Sequence, residues 1–339
     1  MDEKNKDMKK ISWCWWIIIM VVLISSGVKA QDFYFSQFYA SPLTLNPALG
    51  GLTPGNIRIA ANYRNQNASL VPFTTYAASL EGKILKNKLV HDIMAAGIVV
   101  VRDELYNKSV NNTLLMFSWS YHNRISANDY LAAGLQGGLF QHYLNMNAFQ
   151  YPEQWDPVTG SPSRPVTEQF QDMNVLLPDI NLGLMWYHYL PSDASVFLGG
   201  SVFHLTQPKE KFLNTTGMIP RRYVVHGGSR FMLDKKVSLI PNAIVMRQQK
   251  ATQFIMGTTL EYRTAATTAF KTGGWFRYKD VMILFMGMEL KGIEVGVSYD
   301  FVVSQKYFGQ NKGAIEISAI FTSAFKNKAS LQNNPGLRF

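Results

Sequence analysis

The sequence is poor in the residues on which several kinds of chemistry depend. Cysteine occurs once in 339 residues, as Cys14, so intramolecular disulfides and Cys-ligated metal centres are excluded. There is no Gly-rich phosphate loop, no Gly-x-Ser-x-Gly nucleophile motif and no nucleic-acid-binding module. The six histidines are dispersed along the chain. We therefore expect no catalytic residues, no cofactor, no bound metal and no nucleic-acid partner.

The first 30 residues have the composition of a secretory signal peptide. Four lysines precede the apolar stretch from Trp13 to Ile24, and small residues follow before Gln31. A retained membrane anchor is the alternative, but the stretch is shorter than the roughly 20 residues of a spanning helix. This leader has five of the 33 basic and three of the 23 acidic residues, which leaves 28 and 20. A basic exported chain is expected to meet anionic lipid head groups or acidic polymers.

Most of the remaining chain alternates between apolar and polar residues in segments of about 9 to 12 residues. This period is typical of β-strands and not of helices. We predict fourteen strands between residues 55 and 322, among them Ile93–Arg102, Thr113–Arg124 and Leu177–Tyr189. An even number of antiparallel strands is what a closed barrel requires of a chain whose ends meet on one side.

Several predicted strands have one apolar and one polar face. In the first, IRIAANYR (residues 57–64), apolar side chains alternate with Arg58, Asn62 and Arg64. This pattern fits lipid outside and a polar interior, where charges pair. The other charges expected on the inner face are Glu81, Glu261, Glu294 and Glu316.

The same alternation occurs in soluble β-sandwiches, and the connections separate the two architectures. Short turns alternate with longer loops along the predicted strand order, except that residues 248–251 and 279–280 on the long-loop side are also short. This asymmetry is typical of outer-membrane barrels, whose turns are short on the periplasmic side and whose loops are long outside. Both chain ends then lie on the short-turn side. Aromatic residues near strand ends predict interfacial girdles, and the residues so assigned are Tyr63, Tyr121, Tyr130, Tyr143, Trp186, Tyr187, Tyr189, Tyr262, Trp275, Tyr278 and Tyr299.

Residues 31–54 precede the first strand and fit no regular element. The segment is rich in aromatic residues, yet Pro42 and Pro47 interrupt any long strand or helix. We expect it to act as a plug or docking segment that packs into or beneath the periplasmic mouth of the barrel. The residues predicted to dock there are Phe33, Phe35, Gln37, Phe38, Pro42, Asn46 and Pro47.

Two of the long loops are candidates for recognition of a partner. Residues 145–176 include Tyr151 and Trp155 among several prolines, which favours an ordered loop. Residues 206–222 include Arg221 and Arg222, which could bind acidic groups of a partner. The alternatives are a loop that merely covers the barrel mouth and a solvated hairpin tip.

Sequence motifs along the chain resemble the PorP/SprF family of type IX secretion membrane proteins from Bacteroidetes. The opening block combines Phe35-Ser36-Gln37-Phe38 and Asn46-Pro47-Ala48 with Tyr63-Arg64-Asn65-Gln66. Further similarities are Gly134 to Leu139, Leu177-Pro178-Asp179 and Tyr299-Asp300. The segment Tyr39-Ala40-Ser41-Pro42 and the terminal Pro335 to Phe339 differ from the usual family pattern.

The resemblance implies an outer-membrane barrel of the type IX secretion and gliding machinery. It further implies that the barrel helps a large adhesin to leave the cell and attach to its surface, by recognising the adhesin's C-terminal domain. Other type IX components and outer-membrane lipids are the remaining expected partners. The predicted organisation is a signal peptide (1–30), a plug (31–54), the barrel (55–322) and a periplasmic tail (323–339). The alternative function is a hydrophobic uptake channel similar to fatty-acid transporters.

Overall fold

The computed structural model of the protein describes residues 32–66, 73–85, 89, 91–106, 108–163, 165, 171–190, 194–212, 215–304 and 313–323. The predicted signal peptide and all of the predicted tail except Ser323 lie outside these residues. None of the helices in the described parts of the chain is long and apolar enough to cross a membrane.

A single closed sheet of fourteen antiparallel strands forms the wall of the protein. Each strand pairs with its neighbours along the chain. The first strand, β1 (Ile57–Gln66), closes the ring by pairing with the last strand, β18 (Ala314–Thr322), from Arg58↔Thr322 to Gln66↔Ala314. The predicted fold class, an all-β transmembrane barrel of fourteen strands, is confirmed.

The strands of the wall are β1 (Ile57–Gln66), β2 (Phe73–Ile84), β3 (Ile93–Leu105), β4 (Val110–Arg124), β5 (Asp129–Leu144), β8 (Met173–Tyr189), β9 (Ser195–Phe203), β12 (Arg222–Asp234), β13 (Val237–Gln248), β14 (Ala251–Ala265), β15 (Thr268–Arg277), β16 (Val281–Leu290), β17 (Ile293–Val302) and β18 (Ala314–Thr322). Two small hairpins lie in the loops, and they consist of β6 (Trp155–Asp156) with β7 (Ser161–Pro162) and of β10 (Lys209–Phe212) with β11 (Thr215–Met218).

Strands β3, β4 and β8 are longer than the sequence predicted, whereas β5 has its predicted bounds. β3 continues to Leu105, β4 begins at Val110 and β8 begins at Met173. The apolar alternation weakens there, but the ladder continues through pairs such as Asn112↔His142. Backbone pairing therefore extends this part of the wall beyond the alternating segments.

The two ends of the barrel differ as predicted. At one end, the short-turn end, strands are joined by tight connections such as Lys235-Lys236 and Lys291-Gly292. At the opposite end, the long-loop end, the longest connections are residues 145–172 and 204–221. β1 begins and β18 finishes at the short-turn end. This asymmetry is the one that outer-membrane barrels show.

The outward face of the wall is apolar and the inward face is polar or closely packed. On β1, Ile57 and Ile59 are 44% and 47% exposed, whereas Arg58 and Arg64 are buried. Glu81, Glu261 and Glu316 are also buried on the inner side. The predicted assignment of faces is thus correct for these strands.

Part of the predicted aromatic girdle is wrong. Tyr121, Trp186 and Tyr262 are exposed on the outer face, but Tyr187 and Trp275 point into the lumen and are almost fully buried. Tyr130 also points inward, where its ring stacks on Tyr187 at 4.9 Å. Both faces of a strand accept aromatic residues, so proximity to a strand end does not determine the face.

Residues 33–56 lie inside the barrel and contain three single-turn helices. These are the 3-10 helices Phe38–Ala40 and Pro47–Leu49 and, between them, α1 (Pro42–Leu45). Pro42 and Pro47 each occupy the first position of a helix, where a missing N–H removes no helical hydrogen bond. Pro42 and Pro47 therefore start two of the three helical turns.

Because the outer face contacts lipid, a charge placed there should destabilise the barrel. Leu184 is 62% exposed on β8 and pairs with Gly200, near the middle of the neighbouring strand. We expect Leu184→Arg to lower the free energy of unfolding by about 2–4 kcal/mol, measured by urea unfolding in lipid vesicles. Val158→Arg in an exposed loop is the control and should change it by less than about 0.5 kcal/mol. Equal effects would contradict a lipid-facing position for Leu184.

Candidate functional site

The segment from residue 33 to residue 55, called the plug from here on, runs through the lumen from one end of the barrel to the other. Near the long-loop end, the Tyr34 hydroxyl accepts a hydrogen bond from Arg277 at 3.0 Å. Near the short-turn end, the Thr53 carbonyl accepts one from Lys83 at 2.9 Å. The segment was predicted to pack into or beneath the periplasmic mouth. In the structure it lies inside the barrel and continues to the opposite end, because the wall offers partners along its whole height.

A cluster of two arginines and two carboxylates holds the first part of the plug. Arg64 lies 2.9 Å from Asp300 and 3.0 Å from Glu316, and Arg277 lies 3.4 Å from Asp300. Ser36 is at the centre of this cluster: its hydroxyl donates to Asp300 at 2.8 Å and accepts from both arginines. These charges come from β1, β15, β17 and β18, so the cluster ties the plug across the closing seam.

The backbone of the plug also binds this cluster directly. Glu316 accepts hydrogen bonds from the N–H groups of Ser36 and Gln37, each at 2.7 Å. The Gln37 side chain donates to Ser298 at 3.1 Å and accepts from Ser318 at 2.7 Å. A buried carboxylate is tolerated when it is paired and hydrogen-bonded, and Glu316 meets both conditions.

A second charged group holds the plug nearer the short-turn end. Arg58 donates to the Tyr39 carbonyl at 2.8 Å and lies 3.7 Å from Glu81. Glu81 in turn accepts from the N–H of Gly51 at 3.1 Å. The arginine and the glutamate thus fix two points of the plug that are twelve residues apart in the chain.

Apolar side chains of the plug fill the lumen between the two charged groups. Leu43 and Phe35 belong to one buried cluster with residues of β2, β3, β4, β5 and β8 and with Ile219 from a long loop. Phe38 and Tyr39 pack on the inward-facing Trp275, with ring centroids 6.2 and 5.9 Å apart. The lumen is therefore a packed core along the plug and not an open polar pore.

Asn46 and Pro47 are held in a groove made by wall glycines. The Asn46 side chain donates to the Leu184 carbonyl at 3.0 Å and lies 2.9 Å from His226 Nε2, while its oxygen caps Ala48 N. A Cβ atom on Gly183 would lie 1.9 Å from Asn46 Oδ1, and one on Gly134 would lie 2.2 Å from the Pro47 carbonyl carbon. The absence of side chains at these positions is what lets the turn approach the wall.

Further carbonyl groups of the plug have a side-chain donor from the wall. This matters because an irregular segment satisfies few of its own backbone groups, and an unpaired one is costly when buried. The additional pairs are Arg222 with Phe33 and Thr44, Gln136 with Leu43, Ser201 with Leu45, and Ser120 and His122 with Gly50. The inner face of the wall thus carries hydrogen-bond donors at positions that match the carbonyl groups of the plug.

All seven plug residues that were predicted to dock in the barrel lie within the lumen. Phe35, Gln37, Phe38, Pro42, Asn46 and Pro47 are buried, and Phe33 is partly buried beside Arg222. The structure also adds partners that carry no distinguishing signal in the sequence, among them Arg277, His226 and Gly134. Which wall residue meets which plug residue depends on the register of fourteen strands.

The larger long loop presents a hairpin to solvent. Tyr151 is partly buried, and its hydroxyl donates to the Met146 carbonyl at 2.7 Å. Trp155 begins the β6–β7 hairpin and is 54% exposed, and Val158 at the tip is 89% exposed. Asp172 closes the loop by accepting from the hydroxyl of Tyr143 at 2.9 Å. Tyr151 therefore supports the loop, while Trp155 is accessible to a partner.

The second long loop differs from its prediction. Arg221 is partly buried and donates to the Leu205 carbonyl at 3.0 Å. Arg222 does not belong to the loop: it begins β12, points inward and binds the plug, so its predicted position in an outer recognition loop is wrong. Strand β12 begins at Arg222 itself, which was predicted as the last residue of the loop. In the β10–β11 hairpin, a hydrogen bond with His142 holds the pKa of Glu210 below its usual value.

Within the described residues, no group of three or more His, Asp or Glu side chains is arranged to hold a metal ion. The inner face of the wall holds the plug through hydrogen bonds that include those to Glu316, and Trp155 and Val158 are exposed on the larger long loop.

An apolar outer wall, asymmetric loops and a lumen filled by the N-terminal segment together define a plugged outer-membrane β-barrel. The sequence profile of the type IX secretion system membrane protein PorP/SprF matches residues 27–321. The chain belongs to the PorP/SprF family. No curated protein sequence matches the chain.

Two solved barrels illustrate the similarity of fold. The toluene transporter TbuX of Ralstonia pickettii has a TM-score of 0.51 and 10% identity over 83% of this chain and 92% of its own. The monoaromatic hydrocarbon channel CymD has a TM-score of 0.50 and 9% identity over 89% and 96%. At such low identities the similarity concerns the fold alone.

The charged cluster leads to a prediction about Arg64. Its removal leaves Asp300 and Glu316 buried without their main counter-charge, so Arg64→Met should lower the free energy of unfolding by about 3–5 kcal/mol. It should also expose the plug to limited proteolysis. The control is Arg102→Met, which breaks the largely exposed 2.8 Å pair with Glu104 and should cost at most about 1 kcal/mol. A plug equally protected in both variants would contradict this role.

The glycine groove leads to a second prediction. Gly134→Val forces a side chain against Pro47 and should destabilise the barrel by about 1–3 kcal/mol, measured from the temperature at which the folded band disappears in gel electrophoresis. Gly137→Val is the matched control on the same strand, because a Cβ there meets nothing within 4 Å. If both variants melt alike, close approach of the plug is not the reason for glycine at position 134.

Proposed function

We propose that this protein is a non-enzymatic outer-membrane component of the type IX secretion and gliding machinery. It recognises the C-terminal domain of one large secreted adhesin and retains that domain at the cell surface. The observation that supports this most directly is the combination of family membership with a lumen occupied along its whole height. A filled lumen favours binding of cargo at the barrel's rim over passage of cargo through the barrel.

The long-loop end is the surface we assign to the adhesin. By the rule for outer-membrane barrels, long loops face outward, and here they present Trp155 and Val158 on an ordered hairpin. Exposed aromatic anchors on a rigid support are typical of binding surfaces, because little entropy is lost on association. Arg221 adds a positive charge near the base of the second loop.

The short-turn end then faces the periplasm and the other secretion components. Residues 1–30 are proposed to be a cleaved signal peptide and residues 323–339 a periplasmic tail, which would place the tail where it can meet those components. The plug would keep the barrel from leaking while the machinery works, because its apolar side chains fill the lumen between charged groups of the wall.

A hydrophobic uptake channel is the second candidate. It is favoured by the likeness of the fold to barrels named as toluene and monoaromatic hydrocarbon transporters. Uptake would require the plug to leave its paired charges and its hydrogen bonds, and to leave the wall glycines uncovered. A purified barrel that conducts hydrocarbons in vesicles with the native plug would favour this candidate over adhesin retention.

The hairpin provides the test of adhesin retention. Joint replacement Trp155→Ala and Val158→Ser should leave the barrel folded but shift one large protein from the cell surface to the medium, by roughly tenfold or more. The measurement is quantitative mass spectrometry of surface-labelled and secreted proteins. The matched control is Lys235→Ser with Lys236→Ser in the turn between β12 and β13, at the other end of the barrel.

Deletion of the gene gives the complementary result. An adhesin should disappear from the surface, and a pull-down of the native barrel should recover it together with type IX components. Unchanged surface and secreted proteins after deletion would rule out the proposed function, whatever the hairpin variants do.

A further inference from the structure

A groove of about 750 Å³ lies in the wall where β12, β13, β14 and β15 adjoin. Its volume is in the range of sites that hold a small organic ligand. Small residues form its floor on the outer side of the sheet, and they are Gly227, Ser229, Pro241, Ala243 and Gly274. Elsewhere on the outer face these positions are usually taken by large apolar side chains.

Three bulky side chains border the floor. Met256, Phe276 and Met282 lie side by side on β14, β15 and β16, since Met256 pairs with Phe276 and Phe276 with Met282. They are 49%, 41% and 46% exposed on the outer face. The groove therefore opens towards the lipid and has an apolar, flexible rim, because methionine adapts its shape to what it contacts.

The hydrogen-bonded ladder between β12 and β13 is interrupted at this point. β12 and β13 pair from Arg222↔Gln248 to Gly228↔Asn242 and resume at Phe231↔Leu239. Between them, Ser229 and Arg230 have no register partner on β13, although they pair with Val196 and Ser195 of β9. The residue opposite Ser229 on β13 is Pro241, which lacks an N–H to donate. The depression is thus a built feature of the wall that results from a proline in an interior strand.

We propose that this groove binds one alkyl chain of an outer-membrane lipid, seated across the interruption between β12 and β13. The groove faces the hydrocarbon region, so its occupant comes from the membrane. No side chain on its floor or rim carries a charge, which excludes a lipid head group. A peptide segment would need hydrogen bonds for its backbone within lipid, whereas an alkyl chain needs only dispersion contacts with the small floor residues.

The bound chain supports the wall behind the plug. Trp275 and Asn242 line the inner side of the same groove, and the Trp275 ring stacks on Tyr39 of the plug. A depression left empty would deprive this thin part of the wall of contacts on its outer side. The inference is independent of the adhesin, since it concerns only the wall and the membrane.

Filling the groove tests the proposal. A Cβ on Gly274 would have its nearest neighbours at 3.9 Å, so Gly274→Leu should insert a side chain into the groove without a clash. The barrel is purified in mild detergent and titrated with dipalmitoyl phosphatidylethanolamine, and lipid adducts are counted by native mass spectrometry. Wild type should retain one lipid, and Gly274→Leu should retain it at least tenfold less.

Two further variants keep the test decisive. Gly137→Leu adds the same side chain to the outer face far from the groove, in open space, and should bind lipid as wild type does. Ala243→Leu fills the floor from β13 and should reproduce the loss if Gly274→Leu does not fold. A parallel titration with free palmitate separates a site for the chain alone from one that needs the whole lipid.

Equal adduct occupancy in wild type, Gly274→Leu and Gly137→Leu would overturn the proposal. The absence of a retained lipid in wild type would do the same. A dimer that is lost in Gly274→Leu while no lipid is retained would assign the groove to a second copy of the chain instead.

Discussion

The structure depends on one constraint: an irregular backbone segment inside a membrane barrel needs a hydrogen-bond partner for its polar groups, and water reaches few of them. Sheets and helices satisfy their own backbone, but residues 33–55 contain only three single turns. The wall supplies what is missing through Arg58, Gln136, Ser201 and Arg222, which all donate to carbonyl groups of the plug. The lumen is therefore polar in composition and yet specific for one occupant.

Charge balance follows from the same constraint. Isolated charges are expensive in a low-dielectric interior, so the two carboxylates near the long-loop end are matched by Arg64 and Arg277. Ser36 bridges them with one hydroxyl that donates once and accepts twice. Ser36 of the plug is therefore part of the charged cluster, and the cluster lacks these three hydrogen bonds without it.

Much of the architecture follows from the sequence, because a strand has a period of two and a membrane barrel has one apolar face. Strand number, the inward position of Arg58 and Glu316, and the contrast between short turns and long loops were all predictable. Pairings across the lumen were not, because they depend on strand register. The sequence predicted Tyr187 and Trp275 to lie in an interfacial girdle, yet both are buried in the lumen, where they stack on Tyr130 and Tyr39.

The wall glycines and Arg222 are further cases in which the sequence alone did not determine the contacts of a residue. Glycine inside a strand does not reveal its own cause, and at Gly134 and Gly183 the structure gives one, the close approach of Asn46 and Pro47. Arg222 looked like part of a basic loop, whereas its side chain points inward to the carbonyl of Phe33. A residue at the junction of loop and strand has two possible environments, and the local sequence does not distinguish them.

The contacts of Ser36 and Gln37 link the plug to the closing seam of the barrel. Both residues bind Glu316 of β18, Ser36 also binds Arg64 of β1, and these two strands are the pair that closes the ring. Arg64 and Glu316 are also register partners in the ladder that closes the ring. The same two residues thus complete both the last ladder and the charged cluster, which couples closure of the wall to occupation of the lumen.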